Sequence, residues 1–148
     1  MKLENYPVKK TILQYKYKQK IKTLFEKERV VLCFLFGSQA KGLAHKESDI
    51  DIGILFDRKV KPKSYLRKEG ELIGFFSKIF PNHEINIVNL NSASPLLRQT
   101  VNLEGKLIYR KNKISFMMFQ INALREYEEY VHLSNIYNQF LKLKLNAL

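Results

Sequence analysis

The chain has 148 residues, 45% of them hydrophobic, which is enough for one buried core without disulfides or a structural metal. Its charge is lopsided, with 26 Lys and Arg against 14 Asp and Glu for a formal +12, a balance that attracts phosphate-bearing or acidic partners and says nothing of fold. The single cysteine, Cys33, excludes an internal disulfide framework, and the longest apolar run, the seven residues 30–36, is far below the ~20 that span a bilayer. The first residues, Met1 to Pro7, hold no apolar signal core. These features describe a soluble cytoplasmic protein, with residues 1–148 forming one domain.

In chain order, residues 8–28 read as an amphipathic helix, with Ile12, Leu13, Tyr17, Ile21, Leu24 and Phe25 at three- and four-residue steps and lysines opposite. Residues 30–36 are a continuous β-favouring apolar run, the pattern of a strand buried on both faces, and Gly37-Ser38 ends it. Residues 49–56 alternate, Ile50, Ile52 and Ile54 against Asp49, Asp51 and Gly53, which predicts a second strand. A helix is expected over 63–80, with Leu66, Leu72, Ile73, Phe75, Phe76 and Ile79 as its apolar residues and Pro81 beyond it. A third strand follows at 84–90. Ser94-Pro95 pairs a capping hydroxyl with proline at the first helical position, and that helix stops near Gly105. A short edge strand at 106–110 and a long helix at about 113–146 complete an α/β (α+β) sheet with helices on its faces.

The chemistry is concentrated in residues 37–51. Only three of the acids are Asp, and Asp49, Asp51 and Asp57 fall within nine residues. Alternate residues of a strand face the same way about 6.6 Å apart, so Asp49 and Asp51 can converge on one site. Two carboxylates without neighbouring His or Cys suit Mg²⁺ rather than Zn²⁺. Gly37-Ser38, at the end of a buried strand, offers free backbone N–H groups and a hydroxyl to phosphate, and Gly42 permits the bend that returns the chain. Either element alone is commonly a turn or a solvated strand face; the two together, at ten-residue spacing between two strands, are far more specific.

Gly37-Ser38 followed after ten residues by Asp49-x-Asp51 resembles the signature of the polymerase-β-like nucleotidyltransferases. The short chain and the run Asn89 to Arg98, ending at Gly105-Lys106-Leu107-Ile108-Tyr109, are similar to the minimal nucleotidyltransferase (MNT) branch, and more narrowly to MntA-type antitoxins, partners of HEPN-domain toxins. The resemblance spans about residues 20 to 145, with a catalytic core at about 20–110. It implies a mixed sheet flanked by helices, Mg²⁺ with ATP as co-substrate, and transfer of AMP to a tyrosine of a cognate HEPN ribonuclease. By the same resemblance Gly37, Ser38 and Gly42 serve the nucleotide, and Asp49 and Asp51 hold metal. The family has a third carboxylate on the next strand. Here that strand reads Ile85-Asn86-Ile87-Val88-Asn89-Leu90-Asn91, so the position is Asn86, which offers a neutral carbonyl in place of a base. Glu84, two residues earlier, is a possible substitute.

Three other readings stand beside this one. A catalytically weak antitoxin would act by binding alone. A basic nucleic-acid-binding module with a vestigial site would use Lys16, Lys18, Lys20, Lys22, Arg58, Lys59, Lys61, Lys63, Arg67 and Lys68 as its footprint. Nucleotidylation of a small molecule would need an acceptor pocket that this chain has little material to build. His45 reads as a solvated loop residue, His83 and His132 carry no metal-ligand spacing, and core packing accounts for most of Met117, Met118, Phe119, Tyr127, Tyr130 and Tyr137. The apolar excess of so long a last helix is available to a partner.

Overall fold

The computed structural model describes residues 15–37 and 49–148. Ser38, Gly42 and His45, and the expected helix upstream of residue 15, lie outside the described residues. The elements run α1 (Tyr15–Glu28), β1 (Val30–Phe36), β2 (Ile50–Phe56), a 3₁₀ turn (Pro62–Ser64), α2 (Tyr65–Ile79), β3 (Ile85–Asn89), α3 (Pro95–Glu104), β4 (Lys106–Arg110) and α4 (Lys113–Asn146). The sheet order is β3-β2-β1-β4. β1 is antiparallel to both β2 and β4, whereas β2 and β3 are parallel, which makes the sheet mixed and puts β4 at an edge as its short length suggested.

Burial on both faces of β1 follows from its sequence: every second side chain must find a separate core. Cys33 and Leu35 pack with Ile50, Ile52, Ile54 and Phe56 of β2 beneath α1 and α2, which contribute Ile21, Phe25, Leu72 and Phe76. Leu32 and Phe34 face the other way, onto Val101 of α3 and Phe119 of α4. The Phe34 and Phe119 rings lie 5.3 Å apart. Gly53 sits on this second face because a Cβ there would meet Leu90 Cδ1 at 3.3 Å. Burial pushes the Cys33 thiol far up, so it is a core residue and not a nucleophile.

The termini of α3 are as the sequence specifies: Ser94 Oγ accepts from the Leu97 N–H at 3.2 Å, and Pro95 opens the helix. Three expectations are corrected. Lys68 belongs to no surface footprint; it is buried, and its Nζ donates to the Glu28 carboxylate at 3.1 Å and carbonyl at 3.0 Å. Leu66 is 82% exposed, off the apolar face of α2. Core packing accounts for Phe119 but not for its neighbours on α4: Met117, Met118, Tyr130 and Tyr137 are all exposed. At 1.5 Å per residue this 34-residue helix is about 51 Å long, and its second half runs clear of the sheet.

Candidate functional site

The site lies at the end of the sheet where β1 finishes and β2 and β3 begin. The antiparallel register sets Phe36 opposite Asp51, and the parallel register sets Asp51 beside Asn86. Asp51 alternates with Ile50 and Ile52, whose burial beneath α1 and α2 fixes the strand's rotation and turns the carboxylate to the other face. Asp51 is half-buried, and its Oδ1 accepts a 3.3 Å hydrogen bond from Asn86 Nδ2. Gly37 closes the group. Its φ of 70° lies in the left-handed region, and a Cβ there would collide with Oδ2 of Asp51. The glycine therefore serves twice: it permits the turn out of β1 and lets the Asp51 carboxylate lie directly against that turn.

Asp49 is exposed and stands one residue ahead of β2, which begins at Ile50 rather than at 49. Glu84 is exposed and stands one residue ahead of β3. The Ile50 N–H donates to the Glu84 carbonyl at 2.8 Å, so the two acids flank the same first rung of the β2–β3 ladder. The structure thus brings Gly37, Asp51 and Asn86 into contact and places Asp49 and Glu84 at their edge. The amide of Asn86 presents its N–H to Asp51, a role beyond the neutral carbonyl expected of it.

Among the described residues no three His, Cys, Asp or Glu side chains converge on a metal position. Two hard carboxylates are still a sufficient protein contribution for Mg²⁺, which keeps several waters and takes its remaining ligands from substrate phosphates.

Asn91 fixes the far end of the β2–β3 ladder, away from Asp51 and Asn86, in a way the sequence did not reveal. Its Oδ1 accepts from the Phe56 N–H at 2.8 Å and its Nδ2 donates to the Phe56 carbonyl at 2.9 Å, so one side chain continues the ladder where β3 has ended. Asn89 Oδ1 in turn accepts from the Asn91 N–H at 2.9 Å. Asn is frequent in turns, and nothing local distinguishes a two-point clamp on a strand 35 residues away.

Residues 19–114 match the family described as polymerase beta, nucleotidyltransferase. The chain is 32% identical over 96 residues to the protein adenylyltransferase MntA of Aphanizomenon flos-aquae, a stretch covering 61% of this chain and 63% of that protein. The chain thus spans less than two thirds of the length of that relative. Among solved structures it resembles a toxin–antitoxin crystallised with AMP-PNP, at 24% identity and a TM-score of 0.61, over 86% of this chain and 98% of the other. It also resembles a chain in the complex of a tri-AMPylated Shewanella oneidensis HEPN toxin with its MNT antitoxin, at 22% identity and a TM-score of 0.57, over 86% and 95%. At these identities the structural likenesses speak for the fold.

Proposed function

The chain belongs to the polymerase-β nucleotidyltransferase family, and we propose that within it this protein is an antitoxin that transfers AMP from ATP to a tyrosine of a HEPN ribonuclease toxin. One observation carries this reading: Gly37, Asp51 and Asn86 meet at one end of the sheet, where the missing Cβ of Gly37 lets the Asp51 carboxylate lie directly against the turn out of β1. A relative that is a protein adenylyltransferase and a structural neighbour holding an AMPylated HEPN toxin give the substrate class.

In this reading the backbone at Gly37, the Ser38 hydroxyl and Gly42 serve the triphosphate. Asp49 and Asp51 would hold Mg²⁺, which when bound neutralises triphosphate charge and assists departure of pyrophosphate. The tyrosine oxygen bonds to the α-phosphorus as the bond to the bridging oxygen of pyrophosphate breaks, and the phenolic proton must be accepted. Asn86 holds no ionisable group for that task, and its N–H is already given to Asp51. Glu84, exposed at the rim of the same end, is the available substitute. Transfer is therefore slow, and slow transfer suffices when one stable modification silences one toxin molecule.

The partner docks on the free half of α4, where Leu133, Ile136, Tyr137, Phe140 and Leu143 are half or more exposed. The Asn86 contact also favours a second reading, in which a nucleotide-loaded but chemically idle protein neutralises its toxin by binding alone. Calorimetry tests the nucleotide site: MgATP should bind with measurable heat, and Asp49→Asn with Asp51→Asn should abolish the metal-dependent part. Equal affinity in the double variant would remove the assignment. Mass spectrometry of the toxin after incubation with MgATP separates transfer from binding alone.

A further inference from the structure

At the opposite end of the sheet, where β1 begins and β2 and β4 end, a cleft of about 980 Å³ opens between α1 and the strand ends. Its rim carries Lys18, Lys22, Arg29, Lys59, Arg110 and Lys111, six cations from four separate parts of the chain, against two carboxylates, Glu26 and Asp57. The seven-residue β1 separates this cleft from Gly37 by about 20 Å. All six cationic side chains are exposed, whereas the cleft's apolar residues Ile21, Phe25, Val30 and Val31 are buried in the core and Ile108 and Tyr109 are half-buried.

Two further observations single the cleft out. Arg29 has a φ of 58°, the left-handed conformation that ends α1 and turns the chain into β1. Glycine is the usual residue there, and a long side chain costs about 1 kcal/mol or more. Relief by a single Gly substitution is available, yet an arginine stands at the rim. The field is also visible in Asp57, whose carboxyl is held below its usual range by a backbone hydrogen bond from Lys59 and, beyond it, by the charges of Lys111, Lys59 and Arg29, against the opposing effect of desolvation.

We propose that this cleft is a second binding site, for the phosphate backbone of a nucleic acid. Glu26 is also exposed and Ile108 and Tyr109 are half-buried, but six cations against two carboxylates give the cleft a net positive rim, which selects a polyanion over an apolar protein face. Backbone phosphates are the ligand that such a rim recognises without base contacts. The site is independent of the AMP-transfer reading and shares no residue with it.

The test is fluorescence anisotropy of the full chain with a labelled 20-nucleotide RNA of mixed sequence, and with single-stranded DNA of the same length, over a range of KCl. Each phosphate engaged on a single strand contributes about −0.7 to the slope of log K against log salt. Arg29→Gly with Lys59→Ser and Arg110→Ser should cost at least tenfold in affinity at about 0.1 M salt and flatten the slope by about 2. Arg29→Gly relieves backbone strain, so the variant should melt no lower than the parent. Removing three exposed lysines elsewhere, Lys78→Ser with Lys142→Ser and Lys144→Ser, should change affinity less than twofold. Equal losses in the two triple variants would overturn the proposal, as would absence of binding to either nucleic acid at tens of micromolar protein. Poly-glutamate bound as tightly as RNA, and lost equally in the cleft variant, would also overturn it, in favour of an acidic protein.

Discussion

Replacing Asn86 with Asp tests the structure and the chemistry in one variant. The 3.3 Å hydrogen bond from Asn86 Nδ2 to Asp51 Oδ1 would become a contact between two carboxylates. Two like charges at that separation repel by about 1 kcal/mol in bulk water and about 5 kcal/mol at an effective dielectric constant of 20. Both residues are half-buried, and side-chain rotation relieves part of the repulsion, so Asn86→Asp should lose about 1–2 kcal/mol in a metal-free buffer. For a chain of this size that is a fall of about 2–8 °C in Tm. The repulsion raises the folded pKa of the pair above its unfolded value, so the deficit is fully present at neutral pH and vanishes as the carboxylates protonate toward pH 4. Mg²⁺ should reverse it: a cation at about 100 times its Kd adds about 2.7 kcal/mol to the state that binds it. Thermal melts in EDTA and in MgCl₂ read both effects without a toxin present. On the chemistry, a positioned base is worth about 10²–10⁴-fold, so the variant should transfer AMP at least about tenfold faster, with the low end expected if Glu84 already shares the role. Melting curves that match the parent in both buffers would refute the placement of residue 86 against Asp51. A normal Mg²⁺ response with an unchanged transfer rate would put the proton acceptor elsewhere, with Glu84→Gln the next variant to make.

Gly37→Ala should cost about 1–3 kcal/mol by thermal melt, because the left-handed backbone and the collision with Asp51 Oδ2 act together, and it should abolish calorimetric MgATP binding. A stable variant with unchanged binding would show that the turn at Gly37 is not the phosphate cradle. Lys68→Ala leaves the buried Glu28 carboxylate with only the longer 3.6 Å Arg67 contact, so a loss approaching, but short of, about 3–5 kcal/mol is expected in urea unfolding; under about 1 kcal/mol would mean that Arg67 alone satisfies Glu28. Deleting residues 131–148 keeps the 3.2 Å Arg98–Glu126 pair that ties α3 to α4, so the sheet domain should stay folded while toxin no longer co-purifies. Undiminished co-purification would move the partner surface off the free helix.

What the sequence made legible was local. The apolar run 30–36, the Ser94-Pro95 start and the C-terminal periodicity all lie within single elements, and β1, β4 and α4 have the bounds they predict. The site was half legible. The spacing from Gly37-Ser38 to Asp49-x-Asp51 is a feature of one segment, but the partner of Asp51 is set by a parallel register with a strand 35 residues on. What stayed hidden was long-range. Lys68 carries no mark of burial in a helix full of charges; only Glu28, 40 residues earlier, explains it. The basic cleft draws from α1, the ends of β2 and β4 and the start of β1, which no window along the chain unites. Arg29 is invisible for another reason: arginine at a helix end reads as a favourable dipole partner, and only the backbone shows that it occupies a glycine's conformation.

The Asn86 contact bears on why such a site would give up a carboxylate at all. Three acids at one sheet end repel until a cation arrives, so a nucleotidyltransferase with all three is destabilised whenever metal and nucleotide are absent. With an amide at 86 the Asp51 carboxylate gains a donor in place of a like charge, which removes that repulsion from the metal-free protein. The loss falls on rate, since the position that would take the phenolic proton no longer can. An enzyme turning over a metabolite could not absorb a loss of about 10²–10⁴-fold, whereas a protein that modifies a bound partner once is limited by how long the two stay together. On the proposed reading, the exposed apolar half of α4 is what supplies that residence time. On that reading the amide in the site and the long exposed helix are two sides of one arrangement, in which tight docking does the work that fast chemistry does in other transferases.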